Sequence, residues 1–358
     1  MSTAQERPAV EPWTPEPPPP PQRRVGPGLV ASLIALLLVF GMIGLVAARR
    51  AGVAHFGAGS PEAAASGLLA ALDRDPLDAQ AVDRASRYLT GEERLLAGAY
   101  ADRIAKLAAR PSGPDAPGIA GFGARDVRFR RVGGSDDVAV LEAASGTVHV
   151  RTGGGRLELS LDEARRRLAE QTGSRVPSLR VVTLRTGGRW YVALLPTALE
   201  WSRLDAGGGP ADYARLTAPA RPGASSPEAA VSGVLSRLRQ RSLDEVMAGT
   251  APSERNAFEA YLLAVQSSPG RAGVPGNEMF GPPGSYVAGG HVTSTEQLAD
   301  RVVKVNVEVE WSSGGPEPDA ATRPPFRYVI AVQRDGTWYP SIVFTLIDMS
   351  LTSAEEHL

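Results

Sequence analysis

The residues read for chemistry in this chain are its carboxylates, tyrosines and four histidines, and it contains no cysteine. That absence removes thiol catalysis, disulfides and cysteine-held metals. The best candidate surface is Arg301-Val-Val-Lys-Val-Asn-Val-Glu-Val-Glu-Trp311. Strict alternation puts Val303, Val305, Val307, Val309 and Trp311 on one face of a strand and Lys304, Asn306, Glu308 and Glu310 on the other. A carboxylate buried there is a candidate general base; the alternative is a half-buried strand with its polar face in water. Tyr100 and Tyr261 occupy matching places in two similar segments, and read either as ligand-facing groups or as core aromatics with a hydroxyl at the edge. The ligand-face candidates are therefore Asn306, Glu308, Glu310, Tyr100 and Tyr261.

No catalytic, cofactor-binding or metal residue is assigned. His55, His149, His291 and His357 lack a second histidine or carboxylate at metal-ligand spacing, so no zinc site is expected. His149 and His291 read as solvent-facing or edge residues of strands. No phosphate-cradling glycine loop, serine elbow or nucleotide fingerprint occurs, so no cofactor is expected.

These residues sit in a duplicated framework. Ser60-Pro-Glu-Ala-Ala-Ala-Ser-Gly-Leu-Leu-Ala-Ala-Leu72 returns as Ser226-Pro-Glu-Ala-Ala-Val-Ser-Gly-Val-Leu-Ser-Arg-Leu238, with nine of thirteen residues identical. Each copy opens as a helix: a capping serine, proline at the first helical position and a glutamate at the positive end of the helix dipole. Ala65, Leu69 and Leu72, and then Val231, Leu235 and Leu238, form one apolar stripe. Gly67 and Gly233 in mid-helix mark a close backbone approach or shared ancestry. Further helices are expected from Leu77 to Tyr88 and from Glu92 to Ala109, and Glu93-Arg94 with Tyr100 matches Glu254-Arg255 with Tyr261.

Both copies then change to strand patterning. Asp126–Val132 turns at Gly133-Gly134 into Val138–Leu141, and a second hairpin joins Thr147–Arg151 to Arg156–Leu159. Leu161 to Gln171 reads as an inserted helix, and Asp136-Asp137 as a turn. The closing hairpins are Leu179–Leu184 with Trp190–Leu195, and Phe326–Val332 with Trp338–Val343 across Asp335-Gly336. Arg175, Pro177 and Thr197 match Arg323, Pro325 and Thr345. Arg128 and Arg130 form a positive strip that is either a solvated face or a contact for anionic headgroups. The long Gly/Pro stretch Gly270 to Gly284 is functional or mobile.

Ahead of the duplication, Glu11 to Pro21 favours polyproline II and cannot bury a core. Leu29 to Ala48 carries no charge and is bracketed by Arg23-Arg24 and Arg49-Arg50. About 20 apolar residues cross the hydrocarbon layer, so this is a transmembrane signal anchor contacting the lipid bilayer. The short tail is expected to stay in the cytoplasm and the remainder to be extracytoplasmic. Formal net charge is -1, which gives no basic field for nucleic acid. The organisation is a disordered Pro-rich tail over 1–24, the anchor over 25–50, a first α+β module over 60–203, a linker over 204–225 and a second module over 226–350.

Helices first, then a bent antiparallel sheet closed by a glycine turn and Trp190-Tyr191 or Trp338-Tyr339, resembles the cone-shaped α+β fold of the nuclear transport factor 2 superfamily. Ser-Pro-Glu-Ala-Ala openings resemble those of secreted and anchored actinobacterial envelope proteins of this type. The resemblance implies two tandem cones, each with three helices packed into the concave face of its sheet. The isomerase branch of the superfamily holds an acid or base in the cone beside an oxyanion donor, and the superfamily also includes cyclases and many non-catalytic members, so fold alone does not give function. The expectation is a membrane-anchored protein with a non-catalytic binding or assembly role and other envelope proteins as partners. The alternatives are a small-molecule enzyme using one cone, or an assembly subunit of a conjugative or type IV secretion system, whose layout the tandem on one anchor also resembles.

Overall fold

The computed structural model describes residues 56–73, 79–108, 119–152, 155–172, 179–239, 243–266, 285–313 and 327–356. The predicted tail, Leu29–Ala48, His55, His357, Gly270–Gly284 and the Arg175/Pro177 and Arg323/Pro325 matches lie outside these residues. No helix among the described residues is long and apolar enough to cross a membrane.

The first module runs α1 (Pro61–Leu72), α2 (Ala79–Ser86), α3 (Gly91–Ala108), β1 (Ile119–Ser135), β2 (Val138–Thr152), β3 (Gly155–Ser160), α4 (Leu161–Thr172), β4 (Arg180–Thr186), β5 (Arg189–Val192) and α5 (Leu194–Asp205). A single 3-10 turn, Tyr213–Thr217, leads into the second. That module runs α6 (Pro227–Leu238), α7 (Leu243–Ala248), α8 (Pro252–Gln266), β6 (Ser285–Ala299), β7 (Val302–Ser313), β8 (Tyr328–Arg334), β9 (Thr337–Ser341) and α9 (Ile342–Glu356). The class is α+β. The antiparallel sheets have the orders β1-β2-β4-β5 and β6-β7-β8-β9, with β3 added to β2.

Local chemistry sets the helix starts. Ser60 Oγ accepts from the Ala63 amide at 3.1 Å and Ser226 Oγ from Ala229 at 3.2 Å, each cap stabilising by about 1 kcal/mol. Gly67 makes room for the Tyr88 ring, which a Cβ would meet at 2.3 Å, whereas nothing approaches Gly233. Close approach thus explains one glycine of the pair and not the other. Ahead of each helix the repeat already holds: Ala58 exchanges two amide hydrogen bonds with Trp190, and Ala224 does the same with Trp338. Gly57 (φ 72) enters this pairing against the Tyr191 ring, in backbone space that a side chain would fill.

The strand reading needs two corrections. β1 and β2 form one long ladder that continues through Gly133↔Val140, Gly134↔Ala139 and Ser135↔Val138, so the first turn falls at Asp136-Asp137 rather than Gly133-Gly134, while the second expected hairpin is present as β2 with β3, pairing Val148 with Leu159 and Arg151 with Arg156. At the other end, β5 and β9 stop early and the chain enters α5 and α9, which replace the strand continuations expected to Leu195 and Val343.

Strand parity then decides the packing. On one face of the first sheet Ala139 and Leu141 meet Ala64, Ala65, Leu68 and Leu72 of α1. The opposite face, Val138, Val140 and Val182, packs with Ala257, Ala260 and Tyr261 of α8, a helix of the second module. The second sheet mirrors this: Val303 and Val305 meet Val231 and Leu235 of α6, while Val302, Ile330 and Val332 pack with Leu96 and Tyr100 of α3. Each sheet therefore lies between its own first helix and the other module's third helix. The connection between modules is packed as well: Ala211 and Leu216 are buried on the first sheet, and the Asp212 amide donates to the Ala260 carbonyl at 3.0 Å.

Candidate functional site

The structure separates the sequence candidates. Tyr100 and Tyr261 are each 1 % exposed. Glu308 and Glu310 are exposed, and Glu308 Oε2 stands 3.6 Å from the exposed His291 Nε2. Asn306 is half-buried and donates to Ser294 Oγ at 2.9 Å. The expectation of a buried carboxylate base on this strand therefore fails at Glu308 and Glu310. A uniformly wet polar face fails too, because β7 starts beneath α3: Lys304 reaches Asp348 Oδ2 at 3.0 Å and lies 4.3 Å from the Tyr328 ring centroid. Arg128 and Arg130 are exposed, with Arg130 donating to Glu142 at 2.9 Å.

The buried chemistry lies between the modules, in two matching clusters. Glu200 of α5 is 0 % exposed and accepts from Arg180 Nη1 at 2.9 Å, from Arg203 Nε and Nη2 at 2.9 and 2.6 Å, and from Tyr213 Oη at 3.2 Å. Tyr261 of α8 packs edge-on against Tyr213, with centroids 6.2 Å apart. Burial, then the Glu200 charge, pushes the phenols of Tyr213 up to about 12 and Tyr261 well above its ordinary value. Asp348 of α9 occupies the position equivalent to Glu200 and is also 0 % exposed. It accepts from Arg103 Nη1 of α3 at 2.7 Å and faces Lys304. Burial alone would raise its carboxyl, but hydrogen bonds from Lys304 and Tyr328, with the Lys304 and Arg103 charges, hold it below the ordinary aspartate value. Tyr100 of α3 lies beside Asp348, its phenol pushed up by burial and by that charge.

A third group marks the pseudo-twofold axis between the modules. Glu92 at the start of α3 accepts from the Ser253 amide at 3.1 Å, from the Ser253 hydroxyl and from Arg334 Nη1 at 2.8 Å. Glu92 and Ser253 are equivalent positions, and equivalent residues touch only on the axis relating their modules. Their neighbours Glu93 and Glu254 turn into their own modules. Glu93 accepts from the Leu195 amide at 2.9 Å and from Thr90; Glu254 accepts from the Ile342 amide at 2.9 Å and from Ser341 Oγ. Each carboxyl thus satisfies orphan amides at the start of α5 or α9. Burial pushes Glu93 up to about 7 and Glu254 to about 8, against these hydrogen bonds and assisted by the Glu92 charge.

One polar pair stands apart, in the first module only. Asp73, the residue ending α1, places Oδ1 2.8 Å from His149 Nε2 on β2, with Arg125 Nε 3.7 Å from Oδ2. His149 Nδ1 is buried without a hydrogen-bond partner. His149 is thus paired and largely buried rather than solvent-facing. The equivalent second-module positions carry Arg239 and Ser313. No group of three or more histidine, aspartate and glutamate side chains among the described residues is placed to hold a metal ion.

Sequence reasoning missed Glu200, Asp348 and the Glu92–Ser253 contact because it carried strands into α5 and α9. A signal was present: Leu194, Ala198 and Trp201 follow helical spacing, and Thr197 with Glu200 matches Thr345 with Asp348. No protein-family model and no curated protein matches the chain. Among solved structures, a similar chain is described as an Ntf2 like protein involved in plasmid conjugation; it is 12 % identical, over 76 % of this chain and 90 % of that one, at a TM-score of 0.18. A likeness at that level carries no weight for fold or function.

Proposed function

We propose that this chain is a single-pass, membrane-anchored extracytoplasmic envelope protein with a non-catalytic binding or assembly role. Its N-terminal tail lies in the cytoplasm, Leu29–Ala48 spans the bilayer, and the remainder forms two nuclear transport factor 2-like modules. The observation that carries this reading is the reciprocal seating of α3 and α8 on each other's sheets. It turns Glu92, Asp348, Tyr100 and Tyr261 to holding the modules together, and leaves long strands such as β1 and β6 at the sheet edges to meet a partner. Aliphatic filling of both inner faces by α1 and α6 supports the same reading. Service as an assembly subunit of a conjugative or type IV secretion system is one form of this role, supported by layout alone.

The Asp73–His149 pair favours a second reading, in which the first cone acts on a small molecule, because a histidine oriented by a carboxylate is a recurrent general base. Crosslinking in intact cells followed by co-purification separates the two. Specific recovery of an envelope protein is expected. Recovery of none, together with turnover of a small molecule that His149→Gln abolishes, would reverse the order.

A further inference from the structure

We infer that the junction between the modules is selective: a first module fits a second module and rejects a copy of itself.

Placing two first modules about the axis would set Glu92 against Glu92, two carboxylates where the chain has one carboxylate and a serine. The cation now held at 2.8 Å would be missing, because the first-module position equivalent to Arg334 is Thr186. The same α3 would carry Arg103 onto Glu200, which already holds Arg180 and Arg203. A third guanidinium there would be buried without a carboxylate, a strongly unfavourable arrangement. Pairing two second modules fails in the opposite sense. Ser253 would meet Ser253, Arg334 would lose Glu92, and Asp348 would keep Lys304 but find Ala264 at the place of Arg103. Attraction in the correct pair and mismatch in both wrong pairs are the two halves of specificity. The duplicate modules have diverged at the polar positions of the junction, Glu92 against Ser253, Arg103 against Ala264 and Thr186 against Arg334, while the helix-capping Glu93 and Glu254, which serve each module internally, are both glutamate.

The test uses the full chain with a protease site inserted between Gly209 and Pro210, both exposed in the connection. After cleavage the halves are held by the junction alone, and tagged halves from differently tagged chains are mixed and captured. First halves are expected to recover second halves and no first halves. Ser253→Glu is expected to speed dissociation of the cleaved pair at least ten-fold. A misfolded variant would give the same loss, so a reciprocal exchange is included: Glu92→Ser, Thr186→Arg, Ser253→Glu and Arg334→Thr together move the contact to its mirror position. That chain is expected to return to within about three-fold of the original rate. Capture of like halves, an effect of Ser253→Glu below two-fold, or no rescue by the exchange each overturns the inference.

Discussion

Glu200 and Asp348 occupy one position in two copies of one module, yet they are neutralised differently. Glu200 draws both guanidiniums, Arg180 and Arg203, from its own module. Asp348 draws Lys304 from its own sheet and Arg103 from the other module's α3. The first cluster is closed before the modules meet, and the second is completed by their meeting. Arg203 is 7 % exposed and Arg103 27 %, while Arg180 and Lys304 are alike at 22 % and 17 %. A buried charge cluster can therefore be conserved in place while its dependence on a neighbour changes.

That contrast can be broken at several points. Glu200→Ala is expected to have the largest effect, about 3–5 kcal/mol in guanidinium denaturation, because Arg203 is left buried and uncompensated. Asp348→Ala is expected to cost less, since Arg103 can turn to water. An equal loss at both sites would remove the distinction. The pH dependence comes next. Glu93 and Glu254 have carboxyls raised from 4.5 to about 7 and about 8, so the folded state binds their protons more tightly than the unfolded chain. Their contribution is complete below about 4.5 and is lost as pH rises through 7 and 8, with a slope of up to about 1.4 kcal/mol per unit per proton. Glu254→Gln should flatten the upper part of that fall in a series of denaturation midpoints. Asp348 has the opposite sign: its lowered carboxyl stabilises above the unfolded value of 3.8, and that contribution is lost on acidification below it.

Smaller effects sharpen the comparison. A double-mutant cycle between Arg103→Gln and Asp348→Asn should show about 1 kcal/mol of coupling across the modules. Arg103→Gln paired with Glu200→Gln should show none, because no contact joins that guanidinium to Glu200. Glu308→Gln and Glu310→Gln, on the exposed end of β7, are expected to change stability by less than about 0.5 kcal/mol. A large effect there would give that face a role that its exposure does not suggest.

The duplicated framework was legible because its cues are local. A capping serine, a following proline and a Gly-Gly or Asp-Gly turn act within a few residues, and the chain repeats them. The α+β class and the matching of Tyr100 with Tyr261 followed from the same cues. Which surface those tyrosines meet was not legible, because pattern identifies a buried face without identifying what buries it. The alternation of β7 is a case in point: Lys304 and Glu310 share a face, but one reaches the buried Asp348 of α9 and the other lies in water. α5 was misread for a different reason. Trp190-Tyr-Val-Ala-Leu-Leu195 is apolar throughout, and a short apolar run does not distinguish the end of a strand from the start of a helix.

The packed connection from Asp205 to Ser226 has a consequence for how the protein responds to scarcity. Two separate chains with this junction would fall apart as they became rare, following mass action. Here each half meets its mate at an effective concentration on the order of millimolar, whatever the copy number in the cell. Melting of the intact chain should accordingly be independent of dilution.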